Sequence, residues 1–153
     1  MPKGIVILGS TGSIGQQTLD VIRQNKGAFH LVGLACYKNI DLLKEQIKKF
    51  KPLYIAVYDL KKAAELSLYL EKISPSKRPK LYKGSEGWEK IATQKAASKV
   101  VFASSGINAL PSLCKAIKMR KEIALANKEI LVAAGDLVMK LARSYNVTIV
   151  PID

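Results

Sequence analysis

Residues 4–15 read GIVILGSTGSIG: an apolar run of strand length, Gly4 to Leu8, passes directly into glycines at positions 9, 12 and 15. Glycine lets the backbone turn tightly and come close to a ligand. The helical pattern that starts at Ile14 would then present unpaired N–H groups and a positive dipole end to a phosphate. Ser10, Thr11 and Ser13 add hydroxyl donors. The spacing Gly-x-x-Gly-x-x-Gly differs from the G-x-G-x-x-G of the commonest dinucleotide fingerprint, and Gln16 stands where a P-loop has lysine. Strand, glycine bend and helix in this order predict a dinucleotide cradle; a tight turn serving helix packing alone is the plainer alternative.

The same alternation continues along the chain. Further apolar runs of strand length are His30 to Cys36, Tyr54 to Tyr58, Lys99 to Ala103, Glu122 to Ala126 and Val147 to Pro151. Most are nearly continuous in Val, Ile, Leu and Ala, as parallel strands buried on both faces require. Helical periodicity fills the gaps over Ile14 to Gln24, Ile40 to Phe50, Lys61 to Ile73, Gly87 to Ala97, Ala109 to Met119 and Lys128 to Tyr145. In the second of these, Leu42, Leu43, Gln46, Ile47 and Phe50 form one stripe opposite Lys44, Lys48, Lys49 and Lys51, the pattern of a helix lying on a sheet. Strand then helix, repeated, predicts an α/β fold: a Rossmann-like, doubly wound, mostly parallel sheet with helices on both faces. Only Ser74 to Lys80 reads as an irregular loop, so residues 1–153 are expected to form one domain.

Composition agrees with that class. At 48% hydrophobic and 24% charged residues the chain is an ordinary globular protein rather than a disordered one. No apolar run reaches the roughly twenty residues of a membrane span. The start MPKGIVILG lacks the ordered regions of a signal peptide, so a cytoplasmic location is expected. Cys36 and Cys114 have no second Cys or His at metal-ligand spacing and read as free thiols of a reducing compartment. The net charge of +13 invites a nucleic-acid reading. Most of the excess lies between Lys38 and Lys99, where lysines alternate with acids along helical patterns. With no basic arm, finger spacing or aromatic-rich strand, a basic nucleic-acid-binding module stays the alternative.

The strand ends carry the chemistry. After the second strand an NAD site has Asp or Glu for the adenosine ribose, whereas this chain reads Cys36, Tyr37, Lys38, Asn39. A lysine suits a 2′-phosphate and so favours NADPH, although Lys38 is also one of 21 lysines on a basic surface. Asn39 can bond the same phosphate or cap the following helix. Ala103 to Gly106 and Leu125 to Glu129 close two further strands, and ligands of open parallel sheets bind outside such carboxyl ends. Asn127, Lys128 and Glu129 offer an amide, a cation and a carboxylate there; the alternative is a helix N-cap followed by solvated first-turn residues.

GSTGSIG with TLDVI after it, LANKE with LV after it, and the closing Pro-Ile-Asp together resemble the 1-deoxy-D-xylulose 5-phosphate reductoisomerase family, in order and spacing from Lys3 to Asp153. The chain is similar to that family's N-terminal NADPH-binding domain. The resemblance implies conversion of 1-deoxy-D-xylulose 5-phosphate to 2-C-methyl-D-erythritol 4-phosphate in non-mevalonate isoprenoid biosynthesis, with NADPH and a divalent cation, Mg, Mn or Co. By position it implies Thr11, Gly12, Ser13 and Ile14 on the cofactor phosphates and Lys38 and Asn39 at the adenosine end. Asn127 and Glu129 would line the cofactor site, Lys128 would reach the phosphosugar, and Asp153 matches the first metal ligand of a Pro-Val-Asp-Ser-Glu-His motif. A homodimer is implied for the whole enzyme, with neither nucleic acid nor membrane as partner.

Tyr37 stands where many members have glycine, Ile130 where serine is common and Ile152 where valine is usual. The sequence ends before the family's further metal carboxylate, phosphate-binding residues, lid and C-terminal helical domain. No catalytic set is complete in these residues, and the polypeptide is expected to bind NADPH without turnover. The domain of another NADP-dependent reductase is the nearest rival. Tyr58 to Lys62 matches Tyr-x-x-x-Lys of short-chain dehydrogenases, but too early in the chain to reach a nicotinamide, and Cys114 falls in a helical pattern where a semialdehyde dehydrogenase needs a loop nucleophile. His30 has no partner for a triad, and Trp88 reads as a packing residue.

Overall fold

The computed structural model describes residues 1–152. Among them seven strands alternate with six α-helices: β1 Lys3–Leu8, α1 Ser13–Gln24, β2 Phe29–Cys36, α2 Ile40–Phe50, β3 Tyr54–Val57, α3 Leu60–Leu70, β4 Lys80–Lys83, α4 Gly84–Ala92, β5 Lys99–Phe102, α5 Leu110–Lys118, β6 Glu122–Leu125, α6 Lys128–Ser144 and β7 Ile149–Pro151. All pairings are parallel, in the order β4-β3-β2-β1-β5-β6-β7.

The continuous apolar runs lie at the centre, as expected for strands covered on both sides. In β1, residues Gly4 to Leu8 are all buried, and so are the inner residues of β2, β3 and β5. Successive side chains point to opposite faces, so the strands feed two cores. Ile5, Ile7, Leu34, Ile55 and Val57 meet the apolar stripes of α1, α2 and α3, through residues such as Leu19, Leu43 and Leu66. Val6, Leu8, Val32 and Phe102 meet Trp88 and Ile91 of α4, Leu113 and Ile117 of α5, and Ile130 and Val138 of α6. The sheet is thus doubly wound with helices on both faces. Each fully buried Leu or Ile of these stripes contributes roughly 1.5–3 kcal/mol.

The fourth strand differs from the sequence reading. Lys80, expected to end a loop, opens β4, preceded by a single 3₁₀ turn at Pro75–Lys77. β4 is an edge strand: Leu81 packs on one core and Tyr82 on the other, while Lys80 and Lys83 are exposed. Lysines on an edge discourage pairing with another chain, and they also erase the apolar run by which a strand is recognised. α4 correspondingly begins at Gly84 rather than Gly87 and ends at Ala92, with Thr93 as its C-cap, rather than at Ala97.

Both thiols are free. Burial pushes the Cys36 thiol up to about 12, whereas Cys114 is half-buried and its rise from burial is opposed by the nearby Lys118 ammonium. Thiolate is the reactive form, and burial keeps Cys36 almost wholly protonated near neutral pH. An aromatic disulfide reagent should therefore modify Cys114 in the native protein and reach Cys36 only on denaturation, read as one then two equivalents of released thiolate.

Candidate functional site

Strand order reverses beside β1: the chain moves from β1 outward through β2, β3 and β4, then returns to β5 on its other side. Leu8 is in register with both Ala35 and Phe102, so the loops leaving β1, β2 and β5 open at one level of the sheet's carboxyl edge. They enclose a crevice of about 670 Å³.

The glycine loop forms its floor. The N–H groups of Gly9 and Ser10 donate to the Ala35 carbonyl at 2.8 and 3.0 Å, tying the bend to β2. Gly9 has φ +91°, and a Cβ there would stand 2.4 Å from the Ser104 nitrogen. At Gly15 a Cβ would stand 2.1 Å from the Gly9 carbonyl oxygen, so the helix can start this close to the strand only with glycine. Gly12 is the N-cap of α1 and supplies no side-chain hydrogen bond, which leaves first-turn N–H groups at Ser13 and Ile14 facing a ligand.

Behind the loop is a brace that the sequence does not reveal. Ser10, fully buried, donates its Oγ hydrogen to Gln46 Oε1 at 2.8 Å, and Gln46 Nε2 donates to the Ser10 carbonyl at 2.8 Å. Gln46 therefore locks α2 to the bend. The only sign of this in the sequence is a polar residue on an otherwise apolar stripe.

Tyr37, Lys38 and Asn39 make the second wall, all exposed and all bordering the crevice. Asn39 Oδ1 accepts from the Leu42 N–H at 3.2 Å and so caps α2, leaving its amide nitrogen free to donate. Lys38 has no ion-pair partner among the described residues. Trp88, buried beneath this wall, donates its indole N–H to the Cys36 carbonyl at 3.2 Å.

Ala103, Ser104, Ser105, Gly106 and Asn108 form the third wall. Ser104 Oγ is buried with no hydrogen-bond partner. Asn127, 2% exposed, stands behind this loop rather than on the crevice surface. Its Nδ2 donates to the carbonyls of Ser104 at 2.7 Å and Gly106 at 2.6 Å, and its Oδ1 accepts from the Ile130 N–H at 2.8 Å, capping α6. The Glu129 carboxylate accepts from the Gly106 N–H at 2.5 Å. Lys128 is exposed in the first turn of α6, on the same carboxyl edge.

The structure thus gathers Thr11, Gly12, Ser13, Ile14, Lys38 and Asn39 around one crevice and sets Asn127 and Glu129 as supports of its third wall. Asp153 lies outside the described residues. Among the described residues no three His, Cys, Asp or Glu side chains come together, so these residues do not by themselves make a divalent-cation site. Tyr58 packs between Tyr37 and Trp88, and Lys62 pairs with Glu65 at 3.2 Å, so neither half of the Tyr-x-x-x-Lys match serves the crevice. No helix among the described residues is long and apolar enough to cross a membrane.

Comparison with known proteins adds a family. The family model described as 1-deoxy-D-xylulose 5-phosphate reductoisomerase matches residues 5–135. The enzyme of that name from Caldanaerobacter subterraneus subsp. tengcongensis is 45% identical over 151 residues, 99% of this chain and 38% of the relative. A crystal structure of DOX-P reductoisomerase in complex with NADPH, fosmidomycin and magnesium superposes with a TM-score of 0.89 at 38% identity, covering 99% of this chain and 36% of that one. The Zymomonas mobilis reductoisomerase in complex with NADPH gives a TM-score of 0.90 at 29% identity, covering 100% of this chain and 39% of that one. The chain spans about 38% of the length of the curated relatives it matches.

Proposed function

Because this chain belongs to the 1-deoxy-D-xylulose 5-phosphate reductoisomerase family, we propose that its crevice binds NADPH and forms the cofactor half of that reductoisomerase. The observation that carries the reading is the uncapped start of α1 lying across one crevice from the unpaired Lys38. In this reading the N–H groups at Ser13 and Ile14 and the hydroxyls of Thr11 and Ser13 hold the pyrophosphate, while the Gly12 N–H, which donates to the Gly9 carbonyl at 3.2 Å, keeps the bend closed and lets the phosphate approach a residue without a side chain. The Lys38 ammonium and the Asn39 amide take the 2′-phosphate, which selects NADPH over NADH. Asn127 and Glu129 fix the 104–106 loop at the nicotinamide end, with Ser104 Oγ a donor in want of an acceptor. NADPH held in this way would supply the hydride for the reduction. Lys128 reaches toward the anionic substrate, and Asp153 contributes a carboxylate to a Mg, Mn or Co site. The whole enzyme, a cytoplasmic homodimer, converts 1-deoxy-D-xylulose 5-phosphate to 2-C-methyl-D-erythritol 4-phosphate; a polypeptide of residues 1–153 holds the cofactor without turning over.

The test is thermal unfolding of that polypeptide with each dinucleotide. At a hundred times its dissociation constant a ligand adds about 2.7 kcal/mol, so NADPH should raise Tm by roughly 5–10 °C, with NADH at equal concentration doing far less. Lys38→Ala should remove the difference between the two. Equal shifts in the native chain would sink the phosphate role of Lys38, and no shift with either would sink the reading. Salt-sensitive retention on RNA, indifferent to NADPH, would instead support the basic module. A fall in nicotinamide absorbance with substrate and Mn²⁺ would contradict the absence of turnover.

A further inference from the structure

The cradle and the cation account for a dinucleotide's phosphates but leave its purine without a partner. Beside Lys38 the crevice is lined by two large aromatic residues, Trp88, which is buried at 1% exposure, and Tyr37, which at 45% is open to a ligand. An exposed tyrosine held by nothing would be an ordinary surface residue. This one is held: its ring stacks on Tyr58 with centroids 5.1 Å apart and planes 21° from parallel. Tyr58 in turn meets Trp88 edge-on at 4.9 Å and 71°, and Trp88 is anchored through its indole N–H to the Cys36 carbonyl at 3.2 Å. Three rings rising from the core thus fix the position of the outermost one. Tyr58 covers one face of the Tyr37 ring and is not part of the crevice lining, whereas Tyr37 is, so one ring face is left for a ligand.

We infer that the bare face of Tyr37 is the shelf on which the adenine ring of the dinucleotide stacks. The inference rests on the cofactor reading above and extends it to a group that reading leaves unassigned. A 2′-phosphate on Lys38 and the purine hang from the same ribose, so a ligand that meets Lys38 brings its base to the neighbouring residue. Both partners are flat, and the tyrosine is already ordered, so little side-chain freedom is lost on binding. Stacking reads a π-face rather than a hydrogen-bond edge, so the shelf senses that a base is present more than which base it is.

The experiment compares the native chain, Tyr37→Ala and Tyr37→Phe by calorimetric titration with NADPH, adenosine 2′,5′-bisphosphate and reduced nicotinamide mononucleotide. Loss of a base–aromatic stack should weaken NADPH and the bisphosphate about tenfold in Tyr37→Ala. Tyr37→Phe, which keeps the ring, should stay within about twofold of native. The mononucleotide, which has no purine, should bind all three proteins alike. Unchanged or tighter bisphosphate binding by Tyr37→Ala overturns the shelf while leaving the cofactor reading intact. Failure of the native chain to bind NADPH and the bisphosphate overturns the cofactor reading and the shelf with it.

Discussion

A Gly9→Ala protein is expected to unfold roughly 5–15 °C below the native chain and to bind NADPH at least about a hundredfold more weakly. Two separate costs add. At φ +91° an L side chain sits in the left-handed region, a penalty of roughly 1–2 kcal/mol. The new methyl would also stand 2.4 Å from the Ser104 nitrogen and 2.6 Å from the Ala103 carbonyl carbon, both backbone atoms that cannot swing aside. Relieving that overlap costs about 1–3 kcal/mol more and pushes apart the ends of β1 and β5, which are the two sides of the crevice. Gly27→Ala is the matched control, since a Cβ there meets nothing within 4 Å and should leave both measurements nearly unchanged. Scanning calorimetry and NADPH titration on the two variants check this, and native values for Gly9→Ala would show that the bend tolerates a side chain.

The second large effect is expected at Asn127. Removing its amide in Asn127→Ala takes away the α6 cap, worth about 1 kcal/mol. It also orphans the Ser104 and Gly106 carbonyls for about 1–3 kcal/mol. Asn127→Asp separates these two roles. A carboxylate keeps the Oδ1 acceptor for the Ile130 N–H, yet it has no hydrogen to give the two carbonyls and repels them. If Asn127 matters only as a cap, the Asp variant should match the native Tm; if it clamps the third wall, Asp should be as damaging as Ala and should weaken NADPH binding as well. We expect the second result, measured by thermal unfolding and by cofactor titration of both variants.

Both residues stand out in the amino-acid sequence, and the reason is physical. Gly9 follows an uninterrupted apolar run and Asn127 follows another, so each lies at a strand end by position alone. Strands buried on both faces announce themselves in this way. β4 does not, because an exposed edge bearing Lys80 and Lys83 has no such run to show. Gln46 falls within an apolar stripe, and its partner is Ser10, 36 residues away, a pairing no local pattern encodes. The support given to Tyr37 by Tyr58 and Trp88 is hidden for the same reason: three elements distant in the chain meet only when the sheet is assembled. Local chemistry is legible in the sequence, whereas the bracing of the site depends on tertiary contact.

The central place of β1 has a consequence for synthesis. On one side it is bonded to residues of β2, beginning at Phe29, and on the other to β5, beginning at Lys99. A nascent chain leaving the ribosome acquires the first neighbour early and must wait for some seventy further residues before the second emerges. Until then the glycine bend has half its surroundings, and the loop that would face it has not been made. The cofactor therefore cannot act as a template for the early steps of folding; it can reward only the final closure, in which the later half of the polypeptide docks against the earlier one.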